Sequence, residues 1–443
     1  MRERSMRWLS SAPLRPAAFV AAIAVSVGAL GCSSPSGSSQ PSPEKATAAQ
    51  ESAPDVPPAP VGAPRRLRDE IKIVENVLPR LPSRGPGLYL LAHHYARLGD
   101  TNKSLALLKE CVALDEGFDP TDARAFESLK SNAEFRALTE EVRRRYPPVH
   151  HAKLAFTLPD KDLFPEGLAI DAAKRLFYMG SMHRHKIMQI ALSGKVSDFV
   201  REGVYSVGPV GGVHVDADHS IWCATDPDAK NPSELLHFDA QGKLLERYAA
   251  PGPGPHDLND HVLRGQSEIY VTDTYGNRVF VFDRKSKTFA TVKVTAGQEG
   301  RTVIYPNGIT LSDDGNVLYI ADVLGAMRVD LRTQEVREVK PDAHDTLAGA
   351  DGFYWYQGSL IGVQYGTGAR RLMRWKLAED GVQVTSSEVL ERGTEFVKDP
   401  TTGAIFDGKF YFMANTGIDN LDDDRIVDPA KLEPLHVAVV ELK

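Results

Sequence analysis

Four residues with carboxylate or carboxamide side chains share one position of a recurring sequence phrase. The phrase occurs six times after residue 150, and its second position recurs at intervals of 45, 48, 48, 44 and 51 residues. That position is occupied in turn by Glu166, Gly211, Asn259, Asn307, Asp351 and Thr402. Ligation by oxygen alone suits a hard cation such as Ca²⁺, which takes about 6–8 oxygen ligands. We therefore predict one divalent cation there, although Asn, Asp and Gly taken singly also favour turns.

The phrases themselves predict the elements that would position these side chains. Each phrase combines a short apolar run, a tight polar turn and a second run, as in PNGITLSDDGNVLYIAD from Pro306. Regular units of this length are typical of a β-propeller, in which the starts of the inner strands converge on the axis. The predicted fold is mainly β: a six-bladed β-propeller over residues 149–443, preceded by a small α-helical module. Leu154–Leu158 and His436–Leu442 are predicted to share one blade and close the ring.

Several motifs in this region resemble those of the regucalcin (senescence marker protein), gluconolactonase and lactonase family. They are Pro165-Glu166-Gly167, Asn259-Asp260, Pro306-Asn307-Gly308 and Asp351-Gly352. The resemblance implies a six-bladed propeller with one catalytic divalent cation. It places the family's metal ligands on Glu166, Asn259, Asn307 and Asp351. The expected ion is Ca²⁺, with Zn²⁺, Mn²⁺ or Mg²⁺ as alternatives.

One position departs from the pattern of the sugar lactonases in that family. Those members often carry an arginine two residues before the third-blade asparagine, where it contacts the substrate. Asp257 occupies that position here. The departure argues against an aldonolactone as the substrate, while the metal ligands themselves are retained.

The predicted centre could support hydrolysis. A bound divalent cation polarises an ester or lactone carbonyl and lowers the pKa of bound water. A base must then take the proton of the attacking water. The resemblance makes Asp351 the first candidate, and His256 and His214 lie three residues from the repeated position in blades 3 and 2. The alternative for both histidines is a structural or merely exposed role.

Two functions therefore stay open. The first is a metal-dependent lactonase or esterase that acts on a small-molecule lactone or other ester. The second is a non-enzymatic, metal-stabilised propeller that binds a partner. A wet axial pocket favours the enzyme, whereas a pocket plugged by Tyr205, Tyr354 or another bulky side chain favours the binding module. The sequence contains no Gly-x-Ser-x-Gly, Walker A or dinucleotide-binding motif.

The N-terminus is typical of a bacterial lipoprotein. A basic start and an apolar run, Ala17–Leu30, precede Gly31-Cys32, and this run is too short for a permanent transmembrane helix. We expect residues 1–31 to be a signal peptide and Cys32 to be lipidated, with an ordinary secretory signal as the alternative. Residues 32–64 are rich in Ser, Pro and Ala and predict a linker. The expected location is the cell envelope, at the outer membrane or the periplasmic face.

Residues 65–148 predict a small helical module. Apolar residues recur at helical spacing in Leu67–Leu78, Leu88–Leu98 and Ser104–Leu114, and Asp122–Leu129 and Ala133–Tyr146 also predict helices. The second and third segments are similar to a tetratricopeptide repeat, in which small residues let two helices approach closely. One interpretation is a groove for a protein partner. The other is a helical cap packed on the next domain.

Composition excludes some classes of function. The chain of 443 residues has a formal net charge of −7, which argues against a nucleic-acid partner. Its three cysteines are too few for a disulfide framework and too scattered for a zinc finger.

Overall fold

A computed structural model describes residues 63–121, 123–297, 300–365, 370–422 and 425–442. The predicted signal peptide, Cys32 and nearly all of the predicted linker lie outside the described residues. Over the described ranges, no helix has the length and apolar character needed to cross a bilayer.

The N-terminal module contains four α-helices: α1 (Ala63–Val77), α2 (Gly85–Arg97), α3 (Thr101–Ala113) and α4 (Ala133–Arg145). Local sequence explains where two of them begin. Asp100 accepts a hydrogen bond from the Lys103 backbone N–H at the start of α3, and Asn132 caps α4 in the same way. Arg124–Leu129 forms a 3₁₀ helix, whereas the sequence pattern predicted an ordinary helix there.

The contact between α2 and α3 follows the small residues of the sequence pattern. The Ser104 hydroxyl donates to the Ala92 carbonyl across 2.8 Å, and Leu88, Leu108 and Cys111 are buried around them. Small side chains at this seam allow the two backbones to approach closely. The relationship to a tetratricopeptide repeat stays a prediction.

After two N-terminal strands, β1 (Val149–His150) and β2 (Lys153–Leu158), the chain forms six antiparallel sheets arranged as blades. Blade 1 contains β3 (Leu168–Asp171), β4 (Leu176–Ser181), β5 (Lys186–Ala191) and β6 (Val196–Val200). Blade 2 contains β7 (Val210–Val215), β8 (Ile221–Thr225), β9 (Glu234–Phe238) and β10 (Leu244–Ala249). Blade 3 contains β11 (Leu258–Arg264), β12 (Glu268–Asp273), β13 (Arg278–Asp283) and β14 (Thr288–Val292).

The second half of the ring continues the same order. Blade 4 contains β15 (Ile309–Leu311), β16 (Val317–Asp322), β17 (Gly325–Asp330) and β18 (Val336–Glu338). Blade 5 contains β19 (Ala350–Tyr356), β20 (Ser359–Gln364), β21 (Arg371–Leu377) and β22 (Val384–Arg392), and β1 adds a fifth strand beside β22. Blade 6 contains β23 (Gly403–Phe406), β24 (Lys409–Met413) and β27 (Leu435–Glu441), and a small hairpin, β25 (Leu421–Asp422) with β26 (Arg425–Ile426), precedes β27.

The ring closes by joining the two ends of the propeller sequence. The N-terminal strand β2 pairs antiparallel with β27, so Leu158 lies opposite Leu435. Blade 6 is thus built from both ends of the propeller, as the sequence predicted. Closure removes the unpaired edges that an open sheet would expose. The mainly β, six-bladed fold is confirmed.

Three of the inner strands carry an irregularity at the repeated position. The pairing register shifts between Val210 and Val213 on β7, between Leu258 and His261 on β11, and between Ala350 and Phe353 on β19. At each shift two residues lie opposite a single residue of the partner strand, which is a β-bulge. A bulge turns side chains away from regular alternation and is common next to functional sites.

The helical module packs on the propeller at the end where the inner strands begin. Ile71 and Val74 of α1 and Leu90 and Leu91 of α2 share one buried cluster with four propeller residues, Ile304, Tyr305, Val323 and Leu324. The first two of these propeller residues precede β15, and the other two follow β16. The module therefore covers part of the same end of the ring as the repeated position.

Candidate functional site

Two of the four predicted metal ligands are in direct contact. The Asn307 side-chain N–H donates to Asp351 Oδ1 across 2.6 Å, and these two residues are only 5% and 3% exposed. Asn259 is also buried, whereas Glu166 is half-buried and its backbone carbonyl accepts a hydrogen bond from the Thr402 hydroxyl. The four predicted ligands come from four different blades, as their repeated position in the sequence predicted.

The Asn307–Asp351 pair contains groups that a cation would satisfy. Asn307 Oδ1 is buried and has no hydrogen-bond partner. Burial raises the pKa of Asp351 to about 8, and the charge of Asp260 adds to the shift, while the hydrogen bond from Asn307 opposes it. A buried carboxylate with a buried, unpartnered carboxamide oxygen beside it is costly without a positive charge. These oxygen donors fit a hard divalent cation such as Ca²⁺.

A further carboxylate, Asp260, contributes to the centre. It is buried and close enough to Asp351 to raise that residue's pKa. Its backbone N–H donates to the Thr272 hydroxyl at 3.1 Å. The Thr272 hydroxyl also lies 2.9 Å from the Asn307 carbonyl. Asp260 therefore belongs to the network that joins blades 3, 4 and 5.

Sequence reasoning did not select Asp260, although the motif Asn259-Asp260 was visible. In a regular strand consecutive side chains point to opposite faces, so only one of the two would face the axis. The bulge in β11 places both residues opposite the same partner-strand position. The feature of the sequence that could have indicated Asp260 is its position directly after the repeated asparagine, Asn259.

His214, one of the predicted candidates for the base, lies against Asp260. Its Nε2 is 3.3 Å from Asp260 Oδ1, and its ring makes an edge contact with His261, with 4.5 Å between ring centroids. One ligand atom from each of the three residues lies within 4.8 Å of the other two. The structure thus places His214 beside a carboxylate that itself lies close to Asp351.

His261 was also not selected from the sequence. Its side chain is 0% exposed, and neither ring nitrogen reaches a partner with hydrogen-bond geometry. Burial holds its pKa well below the usual value, and His214 adds to this effect. The backbone of Trp222 lies close to the ring and acts in the opposite direction, raising the pKa of His261. His261 is therefore a neutral, buried imidazole.

His256, the other histidine candidate, is held by its own loop. Its Nδ1 lies 2.8 Å from Asp273 Oδ2 and its Nε2 lies 3.3 Å from the Gly252 carbonyl. Asp273 also accepts a hydrogen bond from the Asp257 backbone N–H. These contacts give His256 a structural role at the loop that leads into β11. Asp257, where sugar lactonases often carry arginine, is buried.

Tyr205 and Tyr354, the two tyrosines that could fill the axial pocket, lie in different parts of the structure. Tyr205 is 40% exposed and contacts Phe238 of blade 2. Tyr354 is half-buried, and its hydroxyl accepts a hydrogen bond from the Gly403 backbone N–H at 2.7 Å. Burial, and next the charge of Asp260, raises the pKa of Tyr354. Tyr354 is therefore a neutral phenol beside the carboxylates, whereas Tyr205 lies outside the centre.

Glycine keeps the centre open on the blade 2 side. A Cβ at Gly212 would lie 2.8 Å from both Asp260 Oδ1 and the Asn259 carbonyl oxygen. Real Cβ atoms essentially never approach other heavy atoms so closely. Glycine on β7 therefore allows the inner strands of blades 2 and 3 to meet at Asp260.

Comparison with known proteins gives structural neighbours only. No protein-family model matches the chain, and no curated protein matches it. A gluconolactonase from Xanthomonas campestris superimposes with a TM-score of 0.46 and 14% identity, over 67% of this chain and 98% of that one. A calcium-binding regucalcin from Agrobacterium tumefaciens gives a TM-score of 0.46 and 18% identity over 65% and 94% of the two chains.

A third structural neighbour derives from an enzyme with another activity. A catalytically inactive variant of virginiamycin B lyase from Staphylococcus aureus superimposes with a TM-score of 0.44 and 17% identity, over 66% of this chain and 100% of that one. The blade count of the present chain rests on its own strand order.

Proposed function

We propose that this protein is a divalent-metal-dependent hydrolase of a lactone or other ester. The observation that carries the proposal is the buried Asn307–Asp351 pair, with its unpartnered Asn307 Oδ1. Glu166 and Asn259 complete the proposed ligand set, and Ca²⁺ is the proposed ion. When bound, the ion would polarise the scissile carbonyl and acidify a bound water.

The chain's own residues would then handle the proton. Asp351 is the proposed base: it accepts a proton as the water oxygen bonds to the carbonyl carbon. The bond to the leaving alkoxide oxygen breaks, and that oxygen takes up the proton. Tyr354 and Asp260 would form the wall beside the reacting group. His214, which lies beside Asp260, is the second candidate for the base.

Calcium binding is the first test. Isothermal titration of Ca²⁺ into metal-stripped protein should give one site in the wild type and greatly weakened binding in Asp351→Asn. Asp171→Asn is the matched control, because Asp171 is a buried carboxylate at the far end of inner strand β3, where it contacts His219. Equal Ca²⁺ affinity in the wild type and Asp351→Asn would contradict the proposed site.

Activity is the second test. The calcium-loaded protein should hydrolyse at least one member of a panel of lactones and aryl esters, and Asp351→Asn should not. A protein that binds calcium but hydrolyses none of them would support the alternative, a metal-stabilised binding module. The helical module packs on the end of the ring where the inner strands begin. This packing favours the alternative, because it brings a second surface close to the proposed centre.

We also propose that the protein is anchored in the cell envelope through lipidated Cys32. The proposal rests on the basic start, the short apolar run and Gly31-Cys32. In a bacterial host, the wild type should fractionate with membranes and Cys32→Ala should not. A Cys32→Ala variant that stays in the membrane fraction would contradict lipid anchoring.

A further inference from the structure

Three side chains between blades 2 and 3 form a cluster beside the proposed calcium site, and none of them is among its four proposed ligands. His214 comes from β7, and Asp260 and His261 come from β11. Their nearest ligand atoms all lie within 4.8 Å of one another. The set includes two imidazoles, whereas the calcium ligands proposed above are all oxygens.

The backbone brings these three groups together at two bulges. Regular alternation on β11 would send Asp260 and His261 to opposite faces. The register shifts before His261 on β11 and before Val213 on β7 change this alternation. Gly212 leaves the space that the Asp260 carboxylate occupies. The cluster thus depends on local features that a regular pair of strands would not have.

His261 is a polar side chain in a fully buried position, and the Trp222 backbone lies near one of its ring nitrogens. It is completely buried, and neither ring nitrogen is within hydrogen-bond geometry of a partner. Burying a polar group without a hydrogen bond costs free energy. A metal ion would satisfy one nitrogen, and the nearby Trp222 backbone could accept from the other, as backbone carbonyls commonly do for metal-bound imidazoles.

We propose that His214, Asp260 and His261 bind a transition-metal ion, such as Zn²⁺, Co²⁺ or Fe²⁺. Two imidazoles and one carboxylate form a ligand set that suits these ions, whereas Ca²⁺ prefers oxygen donors alone. Three protein ligands would leave coordination positions for water or a small molecule. This second site uses none of the four proposed calcium ligands, so its metal binding can be measured apart from theirs, although His214 and Asp260 also border the proposed reacting group.

Cobalt provides a direct test, because Co²⁺ bound to nitrogen and oxygen ligands absorbs visible light and Ca²⁺ does not. Metal-stripped, tag-free full-length protein would be titrated with Co²⁺ and followed by its visible spectrum. We expect one Co²⁺ per chain, with new absorption bands that Zn²⁺ removes and Ca²⁺ leaves in place. Absence of the bands, or their removal by one equivalent of Ca²⁺, would overturn the proposal.

Variants identify the ligands. His214→Ala and His261→Ala should each weaken Co²⁺ binding by more than the roughly 10–100-fold that loss of an outer-shell group costs. His237→Ala is the control, because His237 stacks on Trp222 of blade 2 outside the cluster. Unchanged Co²⁺ affinity in both cluster variants would overturn the assignment. His214 is only part-buried, so His214→Ala remains informative if His261→Ala fails to fold.

The calcium-site variant separates the two proposals. Asp351→Asn should lose Ca²⁺ binding but keep the Co²⁺ spectrum. If Asp351→Asn abolished the spectrum while His214→Ala preserved it, the bound Co²⁺ would belong to the calcium site, and the second site would be excluded. A wild type that binds Co²⁺ through the cluster but no Ca²⁺ would contradict the proposed calcium site alone.

Discussion

The Asn307 carboxamide donates a hydrogen bond to Asp351 across 2.6 Å and so joins blades 4 and 5 at the axis. This hydrogen bond stabilises the charged form of Asp351, so it partly offsets the free-energy cost of burying the carboxylate. It does not satisfy Asn307 Oδ1, which stays buried without a partner. The burial of the pair therefore makes the stability of the fold sensitive to the charge state of Asp351.

We expect Asp351→Asn to stabilise the metal-free protein at neutral pH and above. The folded-state pKa of Asp351 is raised from 3.8 to about 8, so its contribution to stability is lost as pH rises from about 4 through 8. Asparagine does not titrate, so Asp351→Asn removes this contribution to the pH dependence of stability. Thermal unfolding in excess chelator should show a higher Tm for the variant at pH 8 and a smaller difference at pH 5. A lower variant Tm at pH 8 would contradict this expectation.

The same substitution should remove the response of stability to calcium. Ligand that binds only the folded state raises stability by mass action. Added Ca²⁺ should therefore raise the Tm of the wild type and of Asp171→Asn, but not that of Asp351→Asn. An equal calcium-dependent rise in all three proteins would mean that the ion binds elsewhere.

The helical module should be sensitive to acid through His94. Burial, with Arg97 adding, lowers the pKa of His94 to about 3, although Glu70 lies 3.6 Å from its Nε2. An unfolded histidine has a pKa near 6.5, so the unfolded state binds more protons between about 3 and 6.5, and stability falls as pH falls through this window. His94→Gln should lose less stability than the wild type between pH 7 and pH 5, measured by urea unfolding. Parallel losses in the two proteins would contradict the prediction.

Arg371 should hold the helical module and the propeller together. It is 3% exposed and donates to Asp345 at 2.8 Å and to Gln364 at 2.6 Å, while its guanidinium also reaches the Glu116 carbonyl of the helical module at 3.5 Å. Arg371→Ala would leave the buried Asp345 carboxylate without its cation, which typically costs about 3–5 kcal/mol. We expect a lower Tm and faster proteolysis after the last helix, around residues 146–148.

The neighbouring Arg374 provides the control for that experiment. It belongs to the same strand, β21, and contacts the Ser359 hydroxyl and the Tyr356 ring rather than Asp345. Arg374→Ala should change the Tm by much less than Arg371→Ala. Similar losses in the two variants would show that the Arg371–Asp345 pair has no special role.

Gly212→Ala should disturb the centre without removing any proposed ligand. The added methyl group would lie 2.8 Å from Asp260 Oδ1, so the carboxylate or the strand must move. We expect weaker Co²⁺ binding at the histidine cluster, measured by the same visible titration. A wild-type Co²⁺ affinity in this variant would indicate that the Asp260 carboxylate is not a ligand.

The sequence predicted the fold well because its signals are local and repeated. Turn residues recur between apolar runs in each phrase, and the inner strands of all six blades begin close to the repeated position. The pairing of β2 with β27 was also predicted, because both are strand-like segments at the two ends of the region. The helical segment predicted at Asp122–Leu129 instead contains a 3₁₀ helix, since a single short turn carries little periodic signal.

The predicted contents of the centre were incomplete for a different reason. Strand alternation cannot reveal that Asp260 and His261 both approach His214, because a bulge alters the side to which each residue points. His256 had the right spacing from Asn259, but Asp273 and Gly252 hold its ring in the loop. Contacts of this kind join residues that are far apart in the sequence, so they become visible only in the folded structure.

The pairing of β2 with β27 also means that blade 6 can be completed only at the end of synthesis. The helical module and β2 leave the ribosome first, whereas Leu435–Glu441 leaves last. Until then β2 has no partner in its blade, and every unfinished chain carries an unpaired strand edge. The four proposed ligands belong to different blades of this ring, so we expect their final arrangement at the axis to depend on its closure. We therefore expect the proposed metal site to form only after the C-terminal strand β27 has paired with β2.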